Sequence, residues 1–263
     1  MSQPKVTVQN VSHRFGSATS GLLVLDDVSI ALADNEFVSI VGTSGCGKST
    51  LLNIIAGLIE PQAGDILVDG KSIDGPGRDR GVVFQTYTLF PWLTVRKNVD
   101  FALRKSKLPK TERQSLVEHY MGTVGLKGFE DSYPNQLSGG MRQRVALARA
   151  LVYSPKVLLM DEPFGALDAQ TRGMMQELLL RVWEEHRITV LFITHDVDEA
   201  IFMSDRVVVM TARPGKIKRE VRVTLPHPRT YEVMTTTEFI DIKHTIIEAI
   251  REETLKSMAV GMS

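Results

Sequence analysis

The sequence predicts an α/β protein built on a largely parallel sheet, and three observations carry that expectation. A strand-like run, Phe37-Val-Ser-Ile-Val41, feeds a glycine loop, Gly42-Thr-Ser-Gly-Cys-Gly-Lys-Ser-Thr50, and helical apolar spacing follows to Ala56. Strand-like apolar runs return at 157–160, 190–194 and 207–210 with helical patterns between them. Such alternation implies parallel strands with helices packed on the sheet. Between them, residues 92–152 change texture and read as a mainly helical insertion.

Taken in order, Val6-Thr-Val8, Val24-Leu25 and Val28-Ser-Ile30 are short alternating or apolar runs around a loop at 16–21. They predict an antiparallel strand layer ahead of the loop strand. Gly57 stands where a helix C-terminal cap belongs. Ile66-Leu-Val68 and Gly81-Val-Val-Phe84 continue the strand character. Thr111-Glu-Arg-Gln114 resembles a capping box, and Leu116, Val117, Tyr120, Met121 and Val124 follow at helical spacing. Pro214, Gly215, Pro226 and Pro228 break the chain after about residue 214. Helical periodicity recovers over 238–258 in a stripe of Phe239, Ile242, Ile246, Ile247 and Ile250, expected to pack on the chain's own core.

The glycine loop states its chemistry. Gly42, Gly45 and Gly47 let the backbone turn tightly and bring N–H groups toward phosphate oxygens. Lys48 is placed to reach β- and γ-phosphates, and Ser49 to ligate Mg²⁺ through its hydroxyl. Strand, loop and helix together put an anion at a helix N-terminus. Cys46, the only cysteine, lies in that loop, where the helix start favours a reactive thiolate. A second feature is Val157-Leu-Leu-Met160-Asp161-Glu162, a buried strand with two carboxylates at its C-terminal end, where open α/β sheets bind ligands. Asp161 suits the Mg²⁺ shell, and Glu162 suits polarising the attacking water or accepting its proton. Ser138-Gly139-Gly140, ahead of the helical pattern 142–152, makes another helix N-terminus with bare N–H groups.

Composition excludes more than it asserts. Lys plus Arg number 31 and Asp plus Glu 31, so net charge gives no argument for nucleic acid. Arg142, Arg144 and Arg149 along one helix read as a solvated or interdomain face. One cysteine excludes an intramolecular disulfide and suits a reducing compartment. No signal-peptide pattern opens the sequence, and no run of about 18 apolar residues predicts a membrane span.

With these residues in view, nearly the whole chain resembles the ATP-binding subunit of an ABC transporter. The resemblance implies a P-loop NTPase (RecA-like) core with an antiparallel β layer over 1–91 and 153–215. It also implies an inserted helical subdomain at 92–152 and a C-terminal extension at 216–263, all in one ABC ATPase domain. It implies that residues 42–50 (Gly42, Thr43, Ser44, Gly45, Cys46, Gly47, Lys48, Ser49 and Thr50) hold ATP. Phe15 matches the aromatic residue that stacks on adenine, although an aromatic there also suits the core. Gln85 matches the glutamine that reaches Mg²⁺ and the attacking water, joining Ser49 and Asp161 at the metal. His195, after the strand Val190-Leu-Phe-Ile193, matches the histidine on the γ-phosphate. Ser138, Gly139 and Gly140 match the signature that contacts the nucleotide of the opposite subunit, and Asp168 the aspartate crossing the dimer. The catalytic set is then Lys48, Gln85, Glu162 and His195. Two departures stand out: Met141 where glutamine is frequent and Gly165 where serine is frequent. Neither removes a catalytic group.

Longer strings narrow the resemblance. Gly75-Pro-Gly77, Asp79-Arg-Gly81-Val-Val-Phe-Gln85, Leu89-Phe-Pro91-Trp92, Asn98-Val99, Pro163-Phe-Gly165-Ala-Leu-Asp168 and Ala212-Arg-Pro-Gly215 look like the branch serving nitrate, sulfonate, taurine and bicarbonate importers. This implies a homodimer closed by ATP and Mg²⁺ at the cytoplasmic face of a bacterial inner membrane. Two transmembrane permease subunits are the implied partners, with a periplasmic binding protein acting through them and no nucleic acid. Pro91-Trp92 is then either the groove for the permease or a filler of the helical subdomain's own core. Other members of the superfamily fit less well. A translation factor carries two nucleotide sites in one chain. A DNA-repair ATPase inserts a long coiled coil, an exporter normally carries its own membrane helices, and a kinase or GTPase has no need of Ser138-Gly-Gly. A different small-molecule importer, or a non-transport ABC ATPase, is the alternative.

Overall fold

The computed structural model describes residues 3–16 and 21–261, with side chains to 256. Residues 17–20 of the expected loop at 16–21 lie outside the described residues. The chain forms two compact units, one from the residues up to Gly77 together with those from Ile188 onward, the other Arg78–Arg187.

In the first unit, β1 (Val6–Phe15), β2 (Leu22–Leu32), β4 (Ala63–Val68) and the short β5 (Lys71–Ser72) form an antiparallel sheet in the order β2-β1-β4-β5. The two apolar runs expected at 24–25 and 28–30 are one strand, because a bulge lets both join it. The register slips between Val8 and Val11, where Asn10 and Asp27 take positive φ and the Asn10 amide donates to Asp27 Oδ1 at 2.8 Å. Bulges of this kind bend a strand without ending it.

The second layer of this unit is β3 (Phe37–Val41), flanked in parallel by β8 (Thr189–Ile193) and β9 (Arg206–Met210). Every residue of β3 and β8 is buried, the pattern of strands covered on both faces. Helix α1 (Lys48–Ile55) follows β3 through the glycine loop. Its end is capped as expected: Gly57 has φ +76°, and the Leu58 N–H donates back to the Asn53 carbonyl at 2.9 Å. Helix α6 (Val197–Met203) connects β8 to β9.

The weakly patterned tail hides a strand. β10 (Ile217–Arg222) pairs antiparallel with β9, and its mixed Lys, Arg and Glu sequence suits an exposed edge. A helix, α7 (Thr237–Gly261), then packs on α6, β9 and β10. The expected stripe is narrower than its isoleucines suggest. Phe239, Ile246 and Ala249 are buried, Ile242 and Ile250 are half-buried, and Ile247 faces outward.

In the second unit, β6 (Arg80–Val83) and β7 (Val157–Asp161) pair in parallel, with Val83 opposite Met160. Helices α2 (Val95–Phe101), α3 (Lys110–Thr123) and α4 (Gly139–Leu151) pack together, and α5 (Ala169–His186) follows β7. The capping box expected at Thr111 does not form. Helix α3 begins at Lys110 with Pro109 at the cap position, so Thr111 already lies inside the first turn. The Pro109 carbonyl accepts from the Arg113 N–H at 3.0 Å, and no side chain caps the helix. Among the described residues no helix is long and apolar enough to cross a membrane.

Candidate functional site

In the first unit the glycine loop joins β3 to α1. Gly47 stands at φ +106° as the residue before the helix, a conformation that side chains resist. Lys48 opens α1 and is buried. Its ammonium lies back across the loop, donating to the carbonyls of Gly42 at 3.0 Å and Thr43 at 3.1 Å. No carboxylate pairs with it among the described residues. A buried cation held by two carbonyls and a neighbouring thiol, with no carboxylate beside it among the described residues, in a loop that opens a helix, suits an anion.

Cys46 departs from expectation. It is buried, and burial pushes its thiol up despite the nearby Lys48 ammonium, whose nitrogen lies 3.9 Å from Sγ. Position at a helix start alone misses this, because desolvation of the thiolate outweighs the local field.

His195 is exposed in the turn between β8 and α6. That turn is fixed on both sides. The Thr194 N–H reaches the Ile40 carbonyl at 3.3 Å, and Asp196 caps α6 through the N–H groups of Asp198 and Glu199 at 2.9 and 3.1 Å. Phe15 ends β1 with its ring 47% exposed and edge-on to His13, 4.9 Å between centroids. It is therefore a surface aromatic and not a core residue.

In the second unit Gln85 stands exposed two residues beyond β6, Asp161 ends β7, and Glu162 follows at φ +43°. Because β6 and β7 run parallel, all three leave from the C-terminal ends of neighbouring strands, where α/β sheets bind ligands. Ser138 caps α4 by accepting from the Met141 N–H at 3.3 Å. Only the backbone of Met141 is used in that bond, so a methionine serves as well as a glutamine. Gly165 likewise has its N–H on the Glu162 carbonyl at 3.2 Å. Gly140 is buried where α4 meets α5, and a Cβ there would lie 2.5 Å from Thr171 Cγ2. Asp168 caps α5 by accepting from the Thr171 N–H at 2.9 Å, and that bond holds its carboxyl below the ordinary range.

The three arginines of α4, expected on a solvated or interdomain face, are half-buried. Each donates to backbone carbonyls: Arg142 to Leu137 at 2.7 Å, Arg144 to Val124 at 3.5 Å, and Arg149 to Thr88 at 2.7 Å and Tyr87 at 3.1 Å. Asn98 holds the loop before α2 in a way the sequence pattern did not disclose. Fully buried, its amide bonds the Phe90 N–H at 2.9 Å and the carbonyls of Phe90, Leu93 and Thr94 at 3.2, 2.9 and 3.1 Å. This clasp turns Pro91-Trp92 outward, and Trp92 is 70% exposed. It does not fill the subdomain's core. Its ring lies 5.7 Å from Phe90, which lies 4.4 Å from Phe101.

A buried lysine in a glycine loop between a parallel strand and a helix is the arrangement of a phosphate-loop nucleotide-binding protein. Comparison with known proteins makes the class narrower. Residues 25–165 match the family model described as ABC transporter. The chain is 51% identical over 254 residues to the ABC transporter ATP-binding protein MJ0412 of Methanocaldococcus jannaschii, covering 97% of this chain and 94% of that protein. It is 45% identical over 261 residues to the nitrate import ATP-binding protein NrtD of a Synechocystis species, covering 97% and 98%. Its fold superposes with TM-score 0.74 on the dimeric, post-hydrolysis structure of the ATP-binding cassette MJ0796 bound to ADP and Pi. That likeness is at 33% identity and covers 84% of this chain and 100% of the other. The chain belongs to the ABC transporter family and is an ATP-binding subunit with ATPase activity.

Proposed function

We propose that this chain is the ATPase subunit of a bacterial importer for a small anion such as nitrate, a sulfonate or taurine. The observation that carries its nucleotide chemistry is the buried Lys48 ammonium lying on the Gly42 and Thr43 carbonyls. That ammonium exchanges the carbonyls for the β- and γ-phosphates of ATP, and the loop N–H groups of residues 42–50 hold the rest. Phe15 stacks on the adenine. Glu162 accepts the proton of the attacking water, while His195 and Gln85 orient the γ-phosphate and that water.

Ser49, Gln85 and Asp161 offer hard oxygen donors that fit Mg²⁺. Among the described residues no cluster of three His, Cys, Asp or Glu forms a metal cage. A sparse set suits an ion that keeps several waters and is completed by phosphate oxygens. When bound, the ion neutralises phosphate charge.

The dimeric cassette relatives support a homodimer in which Ser138, Gly139 and Gly140 of one copy complete the nucleotide site of the other, with Asp168 beside the crossing. ATP then favours the closed dimer because its contacts exist only there. The exposed Trp92 and Phe101, either side of the half-buried Phe90 that Asn98 clasps, receive a permease subunit at the cytoplasmic face of the inner membrane. A periplasmic binding protein delivers the solute to the permeases. The nitrate importer relative and the strings at 75–98 and 212–215 support the anion class.

The test is reconstitution with the permeases encoded beside it. ATPase activity in proteoliposomes should rise with binding protein plus nitrate, taurine or an alkanesulfonate, and Lys48→Ala should abolish it. Stimulation only by an unrelated solute, such as a sugar or peptide, would overturn the anion reading.

A further inference from the structure

The turn after β9 touches the glycine loop directly. Arg213 donates through Nε at 3.1 Å and Nη2 at 3.0 Å to the Gly45 carbonyl. Gly215 presses on the next peptide, where a Cβ would lie 2.2 Å from the Cys46 carbonyl oxygen. The turn is closed on itself by the Thr211 N–H on the Lys216 carbonyl at 2.9 Å and the Thr211 hydroxyl on the Pro214 carbonyl at 2.9 Å. Gly215 is also tied to β2, donating to Val24 at 2.8 Å and accepting from Asp26 at 3.1 Å.

The same turn is gripped from its other side by the C-terminal helix. Glu253 of α7, buried, accepts from the Ala212 N–H at 3.1 Å. Its other oxygen accepts from Lys218 at 2.8 Å and Lys256 at 2.9 Å. Burial opposes the charge, but these donors hold the carboxyl at about 2. The link between α7 and the turn therefore stays charged at any neutral pH. A few turns earlier in α7, Lys243 pairs with Asp198 at 2.7 Å, in the first turn of α6 just beyond His195.

We propose that Arg213 is a positioning residue for the phosphate loop and that Glu253 sets Arg213, so that the C-terminal helix tunes nucleotide affinity. The physical reason lies in the Gly45 peptide. At φ +75° it has no side chain to fix its direction. A carbonyl turned toward phosphate opposes binding, whereas one held outward leaves the following N–H groups aimed inward. Two bonds from one guanidinium hold it outward, and Glu253 fixes the backbone from which that guanidinium extends. Arg213 is itself exposed, so it adds little to the fold while constraining the loop.

This inference rests on residues 42–50 holding the nucleotide, and the experiment separates the two. Equilibrium ATP and ADP titrations are run on the full chain and on Arg213→Ala, Arg213→Lys, Glu253→Ala, the Arg213→Ala/Glu253→Ala double variant and Lys48→Ala, with thermal melts of each without nucleotide. Arg213→Ala should weaken nucleotide about three- to tenfold with an unchanged melt, and Arg213→Lys should recover part of the loss, as expected for charge-assisted bonds at a partly exposed site. Glu253→Ala should weaken binding in the same direction, and the double variant should bind no worse than Arg213→Ala. Additive losses, or unchanged affinity in Arg213→Ala while Lys48→Ala binds poorly, would overturn the inference alone. Unchanged affinity in Lys48→Ala would overturn the nucleotide-loop reading and the inference with it.

Discussion

Arg149 Nη1 lies 2.7 Å from the Thr88 carbonyl, and that bond ties the signature helix to the segment just past Gln85. A second nitrogen bonds the Tyr87 carbonyl at 3.1 Å and the Thr88 hydroxyl at 2.9 Å. One guanidinium thus spans the helix that Ser138 opens and the loop that Gln85 begins.

Arg149→Ala removes three bonds and should lower stability by about 1–3 kcal/mol, since carbonyls lose a charged donor. Nucleotide affinity of the isolated chain should remain near wild type, because the glycine loop belongs to the other unit. Solute-stimulated ATPase should fall, as the Gln85 segment and signature no longer move together. Thermal melts, ATP titration and the proteoliposome assay check these in turn. Wild-type solute stimulation would show that the tie is structural only.

Much of this architecture was legible in sequence because its chemistry is local. The strand Phe37–Val41, the glycine loop and Gly57 follow from apolar runs and backbone freedom, which need no tertiary context. Asp161 and Glu162 were legible because strand ends are where such sheets place acids. Asn98 and Arg149 were not, because each acts on carbonyls fixed only by folding. β10 was obscured by its charge, which an edge strand accommodates. Cys46 was misread because burial is a property of the packed loop, not of its position in a motif.

The corrected state of Cys46 makes its own prediction. A buried thiol with a raised pKa should react with maleimide at least about tenfold more slowly than a free thiol at neutral pH. Labelling should be slow both with and without Mg-ATP and become fast only on unfolding. Mass spectrometry after timed exposure gives the answer. Rapid labelling of the native chain without nucleotide would contradict the packing of the loop.

Glu162→Gln keeps the shape of the side chain and removes its charge and basicity. ATP should still bind, while turnover in the assembled transporter should fall by roughly 10²–10⁴. The closed dimer should then accumulate with ATP and be visible by size-exclusion chromatography. Turnover within a few-fold of wild type would assign the base elsewhere.

The central claim is that Ser138 of one copy serves the phosphate loop of the other, and a mixed dimer tests it most directly. Ser138→Arg puts a bulky cation at the N-terminus of α4, and Lys48→Ala empties the glycine loop of its charge. One chain carries the first change and its partner the second. If the signature acts across the interface, both lesions fall in one half-site and the other half-site is intact. The account predicts ATP-dependent closure with one nucleotide bound per mixed dimer, counted in the isolated closed species. If signature and loop act within a chain, each half-site carries one lesion. A mixed dimer that does not close and holds no ATP would contradict the account.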